Sequence, residues 1–231
     1  MSTNRNHLDH KDGLYLWDLN NPHGYGNRMG RYRTQVEADF ILRNLPATPQ
    51  SVLDAGGGAG RIGSILQARG HRVTLLDKNP QAAEMARKKK LDRVLVGDIL
   101  DFSEAGFEAV VCMEVLEYFK DCGPVIAKCA EFTQTGGLFI FCIINSGSWR
   151  FKLQQLRKNH SDATGFSRRV VEAHLRKNGF EIKARQGFQW TLLRTGSDNW
   201  LVNFFRALEQ MPGLRNWPGQ SPWLLYACRK S

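Results

Sequence analysis

No stretch of this 231-residue chain approaches the ~18–20 consecutive apolar residues that a membrane-spanning helix needs. The opening residues, MSTNRNHLDHKDG, are polar and carry both charge signs, so they do not form a secretory signal. Cysteine is scarce. The five, Cys112, Cys122, Cys129, Cys142 and Cys228, are odd in number and include no close C-x-x-C pair. Several fall in apolar stretches and read as buried small hydrophobes, which points to a reduced, cytoplasmic compartment. No internal repeat or low-complexity tract interrupts the chain.

What is present is ordinary in amount and uneven in place. The composition is 42% hydrophobic and 23% charged, enough for one domain with an elaboration. The net charge is +10. Residues 1–146 hold 17 Lys/Arg against 17 Asp/Glu, whereas 147–231 hold 15 against 5, so the whole excess is C-terminal. Five of the six tryptophans are there too: Trp149, Trp190, Trp200, Trp217 and Trp223. A basic, aromatic-rich part suits an anionic or lipophilic partner or an anionic membrane surface, and equally a solvated basic face over a Trp-containing core.

The chain is organised around Ser51-Val52-Leu53-Asp54-Ala55-Gly56-Gly57-Gly58-Ala59-Gly60-Arg61-Ile62-Gly63. Val52 and Leu53 read as the end of a buried strand closed by Asp54, and Arg61 to Ala68 as a helix. Glycines suit a turn that needs positive φ and lets a ligand approach the backbone, and the helix N-terminus offers free N–H groups to it. Two glycine frames compete. Gly58, Gly60 and Gly63 give G-x-G-x-x-G, the dinucleotide fingerprint. Gly56, Gly58 and Gly60 give G-x-G-x-G. The latter fits better, because a fingerprint sets its first glycine almost at the strand end.

Further strands follow. Arg72 to Asp77 is a β-branched apolar run ending in an acid 23 residues past Asp54, placed to accept from a ribose diol. Asn79-Pro80 caps a helix that runs through Lys90. Arg93 to Gly97 is the third strand, followed by Asp98 and Ile99, an acid able to accept from an exocyclic adenine amine and a neighbour able to pack on its ring. Glu108 to Met113 is the fourth strand. A helix spans Val125 to Phe132, Gly136-Gly137 turn, and Leu138 to Ile144 is the most apolar strand. This alternation predicts a Rossmann-like, doubly wound, seven-stranded and mostly parallel sheet with an antiparallel last strand. Ligands of such sheets sit beyond the C-terminal strand ends, where Asp54, Asp77, Asp98 and Met113-Glu114 all fall.

The flanks complete the plan. Residues 1–45 form an N-terminal helical extension, with a helix expected from Thr34 to Leu45, and 46–231 the main domain. Gly147 to Thr164 is a basic insertion, and Ser167 caps a helix that Asn178-Gly179 ends. Phe180 to Arg185 and Trp223 to Cys228 are the last strands. Between them, in a lid-like insertion over 187–222, Trp200, Leu201, Phe204, Phe205, Leu208 and Met211 share one helical face, serving as a lid or as core.

The pieces VLDAGGGAG, VTLLD, GDI, CMEVLEYF, TGGLFIF and NGFEI resemble the class I S-adenosylmethionine (SAM) dependent methyltransferases over roughly residues 50–186. CMEVLEY is most similar to the quinone-biosynthesis O-methyltransferase branch. The resemblance implies SAM as cofactor and methyl transfer to an O, C or N atom of a small, lipophilic or anionic molecule. It implies cofactor contacts from Asp54, Gly56, Gly58, Gly60, Asp77, Lys78, Asp98, Ile99 and Met113. Arg31 or Arg33, ahead of the first strand, would hold the methionine carboxylate, with Arg33 preferred. The branch usually has histidine where Tyr118 stands, and its two acids and histidine are proposed to hold a divalent metal. Glu114 and Glu117 remain without that histidine, so no metal site is assigned. His23, His160, Glu114 and Tyr118 are candidates for a base, and no spacing selects one. The alternatives are an NAD(P)-dependent oxidoreductase using the other glycine frame and a non-catalytic SAM-binding protein of the same fold. Nucleic acid is not the expected partner, since no N-P-P-Y-type motif follows the fourth strand and no RNA-binding domain is appended.

Overall fold

The computed structural model describes residues 25–156, 163–191, 193, 197–209 and 219–231. Helix α1 (Arg28–Asn44) is capped by Asn27, whose side chain accepts from the Gly30 amide at 2.8 Å. Pro46 and Pro49 follow it and stop the helix ahead of β1 (Ser51–Ala55). Then come α2 (Arg61–Gln67), β2 (Arg72–Asp77), α3 (Pro80–Lys88), β3 (Arg93–Val96) and β4 (Phe107–Cys112). A 3₁₀ turn (Leu116–Tyr118) leads to α4 (Gly123–Phe132) and β5 (Thr133–Ile144). The remaining elements are α5 (Trp149–Leu156), α6 (Arg168–Lys177), β6 (Phe180–Phe188), α7 (Leu201–Glu209) and β7 (Trp223–Lys230).

The seven strands lie in the order β3-β2-β1-β4-β5-β7-β6. β1 to β5 pair in parallel, and β7 runs antiparallel between β5 and β6. Strand residues alternate between the two faces, as the pleat requires. Leu53, Val110, Phe139, Phe141 and Tyr226 enter one cluster with Val125 and Cys129 of α4 and Val171 and Leu175 of α6. Val52, Val111, Ile140, Cys142 and Leu225 enter the other with Phe40 and Ile41 of α1 and Ile62 and Leu66 of α2. Helices therefore cover both faces of a sheet with the expected winding. The Phe139, Phe141 and Tyr226 rings stack in series, with centroids 4.5 and 5.1 Å apart.

Three expectations change. The predicted turn at Gly136-Gly137 lies inside β5, which begins directly after α4. Five steps of β5 match two of β4 between the Phe107–Thr133 and Ala109–Leu138 pairs, so the glycines form a bulge, with Gly136 at φ +77°. Second, the basic insertion contains α5, and Arg150 donates to the carbonyls of Thr191 (2.6 Å) and Leu193 (3.3 Å). It braces the later excursion, so this charge of the basic insertion is spent within the fold. Third, of the two readings of the apolar face of the 200–211 helix, lid or core, the core one does not hold: Leu201, Phe205 and Leu208 are half-buried. Val202 packs on Met29 and Tyr32 of α1, and Glu209 is buried too, while Trp200 and Phe204 are 67% and 53% exposed. Met211 lies outside the described residues.

Candidate active site

The glycine loop is held by backbone geometry. Gly56, Gly58 and Gly60 have φ of +73°, +54° and +75°, where a side chain is strained. The Gly56 and Gly57 amides donate to the Leu76 carbonyl at 2.7 and 3.2 Å. A Cβ on Gly56 would stand 2.4 Å from Val115 Cγ2, and one on Gly57 2.7 Å from the Asp54 carboxyl. Asp54 itself points inward and accepts from the Gly63 amide at 2.9 Å. Burial pushes it up to about 7, against the opposing pull of that amide and of Arg61.

The loop forms one wall of a cleft of about 870 Å³, counting space open to solvent, within the ~300–1,000 Å³ typical of ligand sites. The strand ends complete it. Asp54, Gly56, Gly58, Asp77, Lys78, Asp98, Ile99 and Met113 all line this one cleft, together with Arg61, Glu114, Tyr118 and Phe119. Asp77 accepts from the Gly58 amide and the Asn79 amide, both at 2.8 Å, so its carboxylate is aimed by the loop beside it. Asp98 accepts from the Leu100 amide at 3.0 Å.

Two expected residues lie outside the lining. Gly60 is the N-cap of α2 and faces Ala86 and Leu91, so it shapes the turn from behind. Arg33 is 3% exposed and pairs with Glu114 at 2.9 Å, its guanidinium lying 4.3 Å from the Trp223 ring centroid. Arg31, the other candidate, is exposed and donates to the Gly26 carbonyl at 2.9 Å. The cations that do line the cleft are Lys78 and Arg61, the first residue of α2.

Arg61 belongs to a buried polar network that sequence reasoning did not assemble. It bonds Glu37 at 2.6 Å, Thr34 at 3.1 Å and Glu114 at 3.3 Å, and sits 4.3 Å from the Tyr25 ring centroid. Tyr25 donates its hydroxyl to the second Glu114 oxygen. Burial alone would raise Glu114, yet Arg33 and Arg61 hold it below the usual carboxylate range. Glu37, fully buried, is raised by desolvation despite Arg61. Glu114, at φ +57°, is thus an ionised anchor for two guanidiniums, which leaves it unsuited to act as a base and surrounds it with positive charge unfavourable to a divalent metal. Glu117 is buried, with its Oε2 unpartnered, and burial, then the Glu114 charge, pushes it up to about 8. Burial likewise raises Tyr118 far above its ordinary value, so it stays protonated. His23 and His160 lie outside the described residues.

Arg61 adjoins the glycine loop in sequence, and Arg33 and Glu37 stand one helical turn apart in the central part of α1, both buried. Those were the available signals for the network. A family model described as "Methyltransferase domain" matches residues 29–185. The chain belongs to the methyltransferase-domain family. A curated relative, the ubiquinone biosynthesis O-methyltransferase of Xylella fastidiosa, is 30% identical over 137 residues, covering 56% of this chain and 54% of that protein. The chain thus spans about half the length of the curated relatives it matches. Among solved structures, magnesium protoporphyrin IX methyltransferase from Synechocystis PCC 6803 with bound SAM aligns with a TM-score of 0.67 at 14% identity, over 98% of this chain and 93% of that one. Geranyl diphosphate C-methyltransferase from Streptomyces coelicolor aligns with a TM-score of 0.61 at 19% identity, over 85% and 79%. Both carry the same fold.

Proposed function

We propose that the chain is a SAM-dependent methyltransferase acting on a small molecule. The observation that carries this is the convergence of Asp77, Asp98 and Met113 with the Gly56–Gly58 cradle on one cleft at the C-terminal ends of β1 to β4. Gly58, Gly60 and Gly63 do not make such a surface: only Gly58 of that frame lines the cleft, and Gly63 packs against Asp54. The cleft fits SAM, since its cradle is one that a Cβ would fill and its charged groups match the cofactor's parts. Asp77 would accept from the ribose hydroxyls, Asp98 from the adenine amine beside Ile99, and Lys78 would flank the ribose. Arg61, in place of Arg33, would meet the methionine carboxylate at the N-terminus of α2. When bound, SAM supplies a methyl group already activated on a sulfonium.

The protein's part is then to align an acceptor and keep water out, and positioning of this kind supplies several kcal/mol. Tyr118, Phe119 and Met113 give the cleft an apolar wall beside Glu114. No base is assigned among the cleft residues, because Glu114 is neutralised by guanidiniums and Tyr118 is held protonated. The proteins compared above are named for ubiquinone biosynthesis, magnesium protoporphyrin IX and geranyl diphosphate. A lipophilic acceptor with an anionic group suits both the apolar wall and the basic C-terminal part. We place the protein in the cytoplasm, where five thiols without disulfides are stable, and in peripheral contact with anionic membrane through exposed Trp200 and Phe204 beside Arg206. No helix of the described residues is long and apolar enough to cross a membrane.

Calorimetric titration with SAM and separately with NADH tests the cofactor. Binding of SAM that is lost in Asp77→Ala supports the reading. Binding of NADH alone overturns it. Flotation with anionic and with neutral vesicles tests the membrane contact, which predicts retention only by the anionic ones.

A further inference from the structure

A second cluster of ligand-type side chains lies outside the cleft. Asp121 and Cys122 form the turn that enters α4, and His174 comes from α6. One donor atom of each lies within 4.8 Å of the other two, and His174 Nε2 is 3.8 Å from Asp121 Oδ1. We propose that Asp121, Cys122 and His174 form a binding site for a zinc-type divalent ion, with water as the fourth ligand.

The distances fit that geometry. Zinc binds sulfur at about 2.3 Å and nitrogen or oxygen at about 2.0–2.2 Å, so the ligand atoms of a tetrahedral site with one sulfur stand roughly 3.3–3.7 Å apart. The His174–Asp121 separation of 3.8 Å is a few tenths of an ångström longer, and since all three atoms lie within 4.8 Å of one another the site closes with shifts of about 1 Å, within reach of side-chain rotation. A mixed sulfur, nitrogen and oxygen set selects a zinc-type ion over magnesium or calcium, which take oxygen ligands.

An independent feature seats the imidazole. A Cβ on Gly123 would lie 2.6 Å from His174 Cε1 and 2.9 Å from its Nδ1, so any larger residue there would displace the ring. The Gly123 amide also donates to Asp121 Oδ1 at 2.9 Å, fixing that carboxylate at the same turn. Access is from one side: the Asp121 and His174 side chains are 54% and 31% exposed, while Cys122 forms the floor with no exposed surface. Cys122 would ligate as its thiolate, so binding exchanges one proton for the metal: the S–H bond breaks, the sulfur–metal bond forms, and the proton leaves to solvent. The ion would join α4 to α6 just after Tyr118 and Phe119, bracing the cleft wall they form.

The test is titration of chelator-treated full-length protein with cobalt(II). A thiolate-to-cobalt absorption band in the near ultraviolet, saturating at one equivalent, is expected. Cys122→Ser should abolish it, and His174→Gln, a change at a half-exposed helix position, should weaken cobalt binding at least tenfold. Zinc should compete the band away and raise the wild-type melting temperature by several degrees, with no rise in His174→Gln. Absence of the band, or a band that persists undiminished in His174→Gln, would overturn the site. The His174 variant keeps the test decisive even where the Cys122 variant folds poorly.

Discussion

Replacing Arg61 by Met keeps the aliphatic stem and removes the charge at the centre of the buried network. Glu37 is fully buried and bonds Arg61 at 2.6 Å, so the substitution strands it. Glu114 retains Arg33 and Tyr25 and is affected less. Removing one partner of a buried ion pair costs about 3–5 kcal/mol. In a domain of this size each kcal/mol moves Tm by about 2–4 °C, so a loss of roughly 6–20 °C is expected at pH 7. Burial already raises Glu37, and without Arg61 it rises further. A group whose folded pKa is raised favours the folded state below its unfolded pKa and loses that favour as pH rises. With Glu37 already raised to about 8 beside Arg61, the deficit should change little between pH 5 and 7 and grow as the pH rises above 8, where only the wild-type carboxylate has Arg61 to ionise against. Glu37→Gln in the Arg61→Met background should recover part of the loss, a coupling of about 1–3 kcal/mol between neighbours. Urea unfolding of the four proteins without ligand measures both quantities. A single variant within 1 kcal/mol of wild type, or a double variant whose cost equals the sum of the singles, would refute the network as the structure draws it.

Other perturbations address separate parts. Gly56→Ala places a Cβ against Val115 at φ +73°, so SAM affinity measured by calorimetry should fall at least tenfold. Asp54→Asn keeps the acceptor for the Gly63 amide but removes a buried acid raised from 3.8 to about 7. The wild type loses that acid's stabilising protonation between pH 4 and 7, so the variant should gain on it by up to about 4 kcal/mol across this range in pH-dependent unfolding. Glu209→Ala strands the Gln189 and Trp190 amides, which Glu209 accepts at 3.0 and 2.6 Å, and should cost about 2–3 kcal/mol. Trp200→Ala should change stability by under about 0.5 kcal/mol, since the ring is exposed, while reducing retention on anionic vesicles.

The parallel strands were legible because burial on both faces leaves uninterrupted runs such as RVTLLD, and because an acid at each strand end stands out against them. Ser167 and Asn178-Gly179 bracketed α6 to the residue, since a cap leaves its signature in three or four adjacent side chains. Harder to read were features set by contacts distant in the chain. The Gly136-Gly137 pair reads locally as a turn, and only pairing with β4 makes it a bulge. On α7, local periodicity left the aromatic face open as lid or core, and it does not show that Glu209 turns inward to meet two amides about twenty residues earlier. There the need to satisfy backbone donors outweighs the apolar moment.

The proposed exchange of Arg33 for Arg61 as partner of the methionine carboxylate follows from the same logic. Position ahead of β1 marks Arg33 as near the cofactor end of the sheet, and in space it is near. A guanidinium at 3% exposure, however, must be compensated where it stands, and Glu114 lies 2.9 Å away. Glu114 is in turn shared with Arg61, which keeps one edge on the cleft. On the proposed reading Arg33 acts through Glu114, fixing where the second guanidinium points without meeting the ligand. Arg33→Met should therefore weaken SAM binding less than Arg61→Met does, while destabilising the protein comparably. Calorimetry and unfolding on the same two variants separate the roles, and the reverse order of affinities would return the carboxylate to Arg33.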